Sequence, residues 1–167
     1  MSNSDNSLAI FVEESFAIEG IQLSPEEFTR AIAAHKSLLA KKTLTVAHLT
    51  KFVEALEPGA ILRDQAGLDV RVGSYVAPSG GSHIADKLKA LLNLCAMFVG
   101  STEQAFTYHT QYEALHPFTD CNGRSGRAVW LWMMPPKQRF QLSFLHAWYY
   151  QSLRAKRHHF FWENAND

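Results

Sequence analysis

Apolar residues recur at helical spacing along most of the chain. The clearest run follows Ser82: Ile84, Leu88, Leu91, Leu92, Cys95, Phe98 and Val99 fall on one face of a 3.6-residue repeat, predicting a buried helix that ends at Gly100. Before it, a short helix is expected from about Ser7 to Ile18, stopping at Gly20. Ser24-Pro25-Glu26-Glu27 opens a second, with Ser24 as cap, Pro25 at the first helical position and Glu27 completing a capping box. A third spans roughly Thr45 to Leu56 and halts at Pro58-Gly59. Ser101 to Gln104 forms another capping box, opening a helix that runs to Leu115 and gives out at His116, because Pro117 disfavours helical geometry before it. Helical spacing resumes from Gly123 to Met134, where Pro135-Pro136 stop it, and a last helix is expected from 143 to about 161. Residues 60–81 differ. Glycine and proline punctuate them, and Val70-Arg71-Val72 alternates apolar and charged, so a short hairpin is expected there. The pattern predicts one all-α domain with a single glycine-rich excursion.

Composition narrows this little further. A chain of 167 residues, 47% hydrophobic and 19% charged, is long enough for a real core and ordinary for a soluble globular protein. Lysine plus arginine and aspartate plus glutamate both number 16, so net charge points to neither nucleic acid nor an anionic membrane. The basic cluster Arg154, Lys156, Arg157 reads as a solvated helix end, and Phe160, Phe161 and Trp162 pack on the domain or form a partner surface. No apolar run approaches the ~20 residues of a membrane span, and MSNSDNSLAIF lacks the features of a signal peptide. Cys95 and Cys121 make no disulfide framework, so a cytoplasmic setting is expected. Together with His109 and His116 they fit no familiar zinc spacing, and Trp130, Trp132, Met133 and Met134 read as core.

The chemistry concentrates in residues 116–127, HPFTDCNGRSGR, between two helices. A helix start offers unpaired N–H groups and partial positive charge, which favour an anion. Gly123 allows close approach to the backbone, and Arg124 and Arg127, three apart, share a helix face from which each can fork onto phosphate. Asp120 can give one hard oxygen to Mg²⁺, and His116 can take a proton from an attacking hydroxyl near neutral pH. Asn122 adds an amide for phosphate or for the loop itself. Base, metal ligand and phosphate cradle in one segment point to phosphoryl or nucleotidyl transfer.

His116-Pro117-Phe118, Asp120, Asn122-Gly123-Arg124 and Arg127 resemble the signature HPFx[D/E]GNGRxxR of the Fic (filamentation induced by cAMP) family, and the likeness covers most of residues 7–140. The resemblance implies a single Fic-type helical domain that transfers AMP from Mg·ATP to a Ser, Thr or Tyr hydroxyl of a target protein, itself included. It makes His116 the base and Asp120 the Mg²⁺ ligand. Asn122, Gly123, Arg124, Gly126 and Arg127 become the nucleotide-binding set, with Phe118 a buried anchor. The departure is Cys121, where the family usually has glycine; a residue there needing positive φ would strain the loop. Relatives of the Doc type carry alanine and act as kinases, while Cys121 is taken as a passive small residue rather than a redox switch.

A second resemblance lies at the other end. Glu19 is near a helix carboxy terminus, where the dipole disfavours an acid by a few tenths to ~1 kcal/mol, so its local context gives no reason for a carboxylate. Ser15-Phe-Ala-Ile-Glu19-Gly20 fits the family's inhibitory motif (S/T)xxxE(G/N), which implies that residues 7–20 form an inhibitory helix whose glutamate pairs with Arg127 and obstructs the γ-phosphate. Val70, Arg71, Val72 and Gly73, within 60–81, correspond to the family's flap, whose edge can pair with an extended target segment. Two other function classes remain open: the same fold with another donor or a Doc-like kinase reaction, and a nucleotide-binding module without catalysis. ATP and Mg²⁺ are the expected ligands and a target protein the expected partner, with no nucleic acid or membrane and the oligomeric state left open.

Overall fold

The computed structural model describes residues 3–140, and among them lie six helices, α1 (Asn3–Ala17), α2 (Pro25–Leu39), α3 (Val46–Leu56), α4 (Ser82–Met97), α5 (Thr102–Leu115) and α6 (Asn122–Met133). Two short antiparallel strands, β1 (Arg71–Val72) and β2 (Tyr75–Val76), pair Arg71 with Val76 and Val72 with Tyr75. The all-α class with one hairpin is thus what the apolar spacing predicts. The last expected helix (143–161), the basic cluster Arg154, Lys156, Arg157 and the aromatics Phe160, Phe161 and Trp162 lie outside the described residues. No described helix is long and apolar enough to cross a membrane.

Helix α6 is the hub. It packs along α5 and is also met by α1, α2 and α3, so Ala128 to Met133 are all buried. A helix surrounded by others buries every face, and here the polar Asn122, Arg124, Ser125 and Arg127 are buried along with the apolar residues. The core around it takes Leu8, Phe11, Val12 and Phe16 from α1, Leu49, Phe52 and Val53 from α3, and Ile84, Leu88, Leu91 and Leu92 from α4. Local signals behave as expected at α2, where Ser24 Oγ accepts the Glu27 N–H at 3.2 Å and Glu27 Oε2 accepts the Ser24 N–H at 2.8 Å.

Three expectations need correction. Helix α1 begins at Asn3, earlier than its first apolar residues suggest. At α5 only the Ser101 half of the predicted capping box forms, its Oγ accepting the Gln104 N–H at 3.3 Å. Phe98 and Val99, assigned to the buried stripe of α4, are 38% and 48% exposed. The helix ends at Met97 and Phe98 leaves helical geometry (φ −118°, ψ 19°), so the periodicity stops one turn short of Gly100.

The β hairpin turns through Gly73-Ser74, with the required positive φ on Gly73 (59°). A second antiparallel contact matters more for the site. Arg63 N–H donates to Pro117 O at 2.9 Å and Thr119 N–H to Ile61 O at 2.9 Å, bridging Leu62 and Phe118. The glycine-rich segment is therefore stitched by main-chain bonds to the loop between α5 and α6.

His35 shows how this core couples to pH. It is buried between Phe11 and Phe52, with ring centroids at 5.9 and 4.8 Å, and its Nδ1 meets Ala31 O at 2.8 Å. Burial drives its pKa from 6.5 down to about 4, against the opposing hydrogen bond to Ala31. The unfolded chain takes the proton below its ordinary value and the folded chain does not, so this contribution is complete above that value and is lost as pH falls toward the folded pKa. Denaturant unfolding at pH 7 and pH 5 is expected to show wild type losing on the order of 2 kcal/mol more than His35→Gln. Equal losses would assign the acid sensitivity elsewhere.

Candidate functional site

Helix α1 ends in a turn that aims Glu19 inward. Gly20 takes a left-handed φ of 72°, Gly20 N–H donates to Ala17 O at 3.0 Å and Ile21 N–H to Phe16 O at 3.1 Å. This is the paired bond pattern of a Schellman cap, which suits glycine at Gly20 and leaves Glu19 as the helix cap. One turn earlier Ser15 is fully buried and faces Arg127: its Oγ accepts from Nε at 2.8 Å and its carbonyl from Nη2 at 2.7 Å.

The loop between α5 and α6 is bracketed by two non-glycine residues with positive φ, His116 (51°) and Cys121 (64°). Each costs ~1 kcal/mol, and hydrogen bonds to their main-chain groups hold them there. Phe118 is fully buried as expected. Asn122 uses both side-chain groups on it, Oδ1 accepting Phe118 N–H at 2.8 Å and Nδ2 donating to Phe118 O at 2.8 Å. Of the two roles open to its amide, the structure shows the loop-holding one. Asp120 Oδ1 accepts the Cys121 N–H, and the carboxylate remains 64% exposed. Ser125 Oγ, 2.8 Å from Tyr112 Oη, closes the loop onto α6 by donating to Cys121 O at 2.7 Å.

Two guanidinium groups stand at the start of α6, both buried. Glu19 bridges them: Oε1 accepts from Arg127 Nη2 at 2.5 Å, and Oε2 lies 2.9 Å from Arg124 Nε. The Nε–H of Arg124 is not aimed at that oxygen, so the second contact is one of charge rather than a hydrogen bond. Arg124 also donates to Glu57 Oε2 at 3.0 Å and to Asp120 Oδ1 at 3.4 Å, and its guanidinium lies 5.2 Å from the Phe16 ring centroid. A Cβ on Gly123 would strike Glu19 Oε1, so the absent side chain is what admits the carboxylate.

These residues surround a cleft of about 340 Å³ whose walls include Glu19, Arg71, Val72, His116, Asp120 and Arg127. Val70, Thr119, Asn122 and Gly123 line it too, so the β hairpin, the loop and the end of α1 converge on one space. Among the expected binding residues Arg124, engaged by Glu19, Glu57 and Asp120, does not line the cleft, and neither does Gly126. The glycine is pressed against α5, where a Cβ would meet Glu113 Oε1 and the Tyr112 ring, and so serves close helix packing. The sequence reading missed Glu57 and Arg63. Glu57 caps α3 beside Pro58-Gly59, and its only local signal is an acid at a helix end where the dipole disfavours it. Among the described residues no three metal-ligating side chains cluster, so a cation here would draw its remaining ligands from elsewhere.

A family model described as Fic/DOC family matches residues 27–134. A Fic family protein from Desulfovibrio desulfuricans G20, whose crystal structure was determined at 2.70 Å, is similar in fold, with a TM-score of 0.60 and 19% identity over 92% of this chain and 55% of that one. No curated protein gives a significant match.

Cys121 is buried, and burial pushes its thiol pKa up to about 12 against the pull of Arg124. Cys95 is likewise buried and pushed to about 12. Ellman's reagent at pH 8 is expected to titrate neither cysteine in the folded protein and both in denaturant. Rapid native reaction at Cys121 would overturn the reading of it as a passive residue.

Proposed function

The chain belongs to the Fic/DOC family, and on that premise we propose that it is an autoinhibited protein adenylyltransferase, moving AMP from Mg·ATP to a Ser, Thr or Tyr hydroxyl of a target protein. Membership supports a Fic-fold transferase. One observation carries the finer reading: the carboxylate of Glu19, held by Arg127 at 2.5 Å and beside Arg124 at 2.9 Å, stands at the amino end of α6 where phosphate oxygens would bind. The site is built for an anion, and a residue of the chain itself fills it.

With Glu19 withdrawn, Arg127, Arg124 and the first N–H groups of α6 would hold the phosphates. Asp120, exposed at the cleft, fits as a single carboxylate ligand for the Mg²⁺ that arrives with ATP. His116 Nδ1 lies 3.3 Å from Glu113 O; with the proton on that nitrogen, Nε2 carries the lone pair. The target hydroxyl oxygen bonds to the α-phosphorus, the bond from that phosphorus to the bridging oxygen breaks, and pyrophosphate leaves. The hydroxyl proton passes to His116. The outer edge of β1, which no other described strand pairs, has Arg71 and Val72 on the cleft wall and would give an extended target segment main-chain partners.

Intact and peptide mass spectrometry after incubation with Mg·ATP tests this, comparing wild type, Glu19→Gly and Glu19→Gly/His116→Ala, alone and in lysate. An AMP-sized addition is expected in Glu19→Gly, at least tenfold above wild type, and it should be lost with His116. A phosphate-sized addition would assign a kinase reaction instead. ATP binding with no covalent product in any sample would leave a nucleotide-binding module.

A further inference from the structure

Arg63 lies in the glycine-rich segment before the hairpin, outside the motif and outside the cleft lining, yet it is fully buried. A buried guanidinium ordinarily faces a carboxylate. This one feels the charge of Asp69 but makes no hydrogen bond to it: it uses all five of its N–H donors on four main-chain carbonyls. Nε donates to His116 O at 2.7 Å, and one Nη2 bond reaches Leu115 O at 3.2 Å. The other Nη2 bond goes to Pro78 O at 2.9 Å, while Nη1 donates to Pro78 O at 3.0 Å and Leu68 O at 3.1 Å.

The two sets of carbonyls belong to different parts of the site. Leu115 and His116 are the end of α5, where helix carbonyls have no partner inside the helix and the dipole is negative. Leu68 and Pro78 flank the hairpin on either side. Tyr75, in β2, repeats the link by donating its hydroxyl to Ala114 O at 2.6 Å. The main-chain N–H of Arg63 takes Pro117 O at 2.9 Å, so carbonyls 114 to 117 are each taken by Arg63 or Tyr75.

We infer that Arg63 is a positioning residue for the reaction: its guanidinium, seconded by Tyr75, locks the left-handed backbone of His116 to the base of the hairpin, so that base and target-docking edge are set as one rigid unit. This rests on the adenylyltransferase reading above. The physical reason is that His116 and the hairpin edge hold the two ends of the attacking hydroxyl, one its proton and the other its main chain. An error of one ångström between them is enough to cost catalysis heavily. The phosphate cradle on α6 is held separately, by Ser15, Glu19 and Glu57, so the inference separates the rate of transfer from ATP binding.

The test uses the full chain with Arg63→Lys, which keeps the charge but loses the fork, and Tyr75→Phe, which removes one bond and leaves the buried guanidinium in place. In the Glu19→Gly background, Arg63→Lys is expected to lower kcat by about tenfold or more with the KM for ATP within about twofold, and Tyr75→Phe to lower kcat by about threefold. In the wild-type background, amide exchange should rise in residues 61–63, 70–78 and 114–119 and stay level in α2, α4 and α6. Equal losses in kcat and ATP affinity, or exchange raised throughout the chain, would make Arg63 a general structural residue and overturn the inference. So would unchanged exchange with unchanged kcat. If Glu19→Gly itself transfers nothing, the adenylyltransferase reading fails, and the exchange pattern still decides whether Arg63 couples loop and hairpin.

Discussion

Arg124 and Arg127 carry charge into the protein at the amino end of its central helix, and much of the surrounding structure follows from the cost of doing so. A guanidinium withdrawn from water costs several kcal/mol unless acceptors surround it. Arg127 meets this through Ser15, twice, and through Glu19, all from the last turns of α1. Arg124 meets it through Glu19, Glu57 and Asp120, from α1, the end of α3 and its own loop. Three distant parts of the chain thus converge on one pair of cations. The apolar face of α1 supplies the contacts that keep it seated, with Phe16 lying under the Arg124 guanidinium.

The loop before α6 meets a different constraint, that of turning sharply between two packed helices without leaving main-chain groups unpaired. It does so with left-handed residues at both ends. At Cys121 the fold holds a Cβ where glycine would be unstrained, and the position is tolerable because the side chain is small and sits in a buried niche. At His116 the left-handed turn ends α5, closes a bond from its N–H to Tyr112 O at 2.9 Å, and brings the imidazole onto the cleft wall. The strain is held at Cys121 by Ser125, which donates to its carbonyl, and at His116 by Arg63, which donates to its carbonyl from outside the loop.

What was legible in the sequence divides along the same physical lines. Helices α2 to α5 declare themselves through apolar spacing, caps and prolines, all local properties. The loop declares itself because its special residues are adjacent, and Ser15, Glu19 and Gly20 because they occupy one turn. Glu57 and Arg63 do not, since their meaning depends on partners far along the chain: Arg124 for the first, Leu115 and His116 for the second. The packing of Gly126 against α5 was not legible for the related reason that a glycine in a candidate phosphate loop and a glycine at a tight helix crossing look alike in one dimension. Phe98 and Val99 failed because periodicity carries no mark of where a helix stops, and the chain leaves the helix at Met97 rather than at the glycine.

On the proposed reading, the energetics of Glu19 suit a lock that has to open. Its position at the end of α1 sets it against the helix dipole, a penalty of a few tenths to ~1 kcal/mol that only the two arginines offset. Its side chain is 22% exposed, so water reaches it and its attraction to Arg127 is weaker than that of a sealed pair. What favours it over a free anion is tethering, since a carboxylate carried on a packed helix acts at an effective concentration of about millimolar or above. That advantage depends on the last turn of α1 staying against α6. Ser15 and Glu19 both hold Arg127 from this one end of α1, so drawing it away would remove the tether's benefit and free the cations for phosphate. On that reading any such opening also acts on Phe16, which is buried in the core beside Ser15 and lies against Arg124.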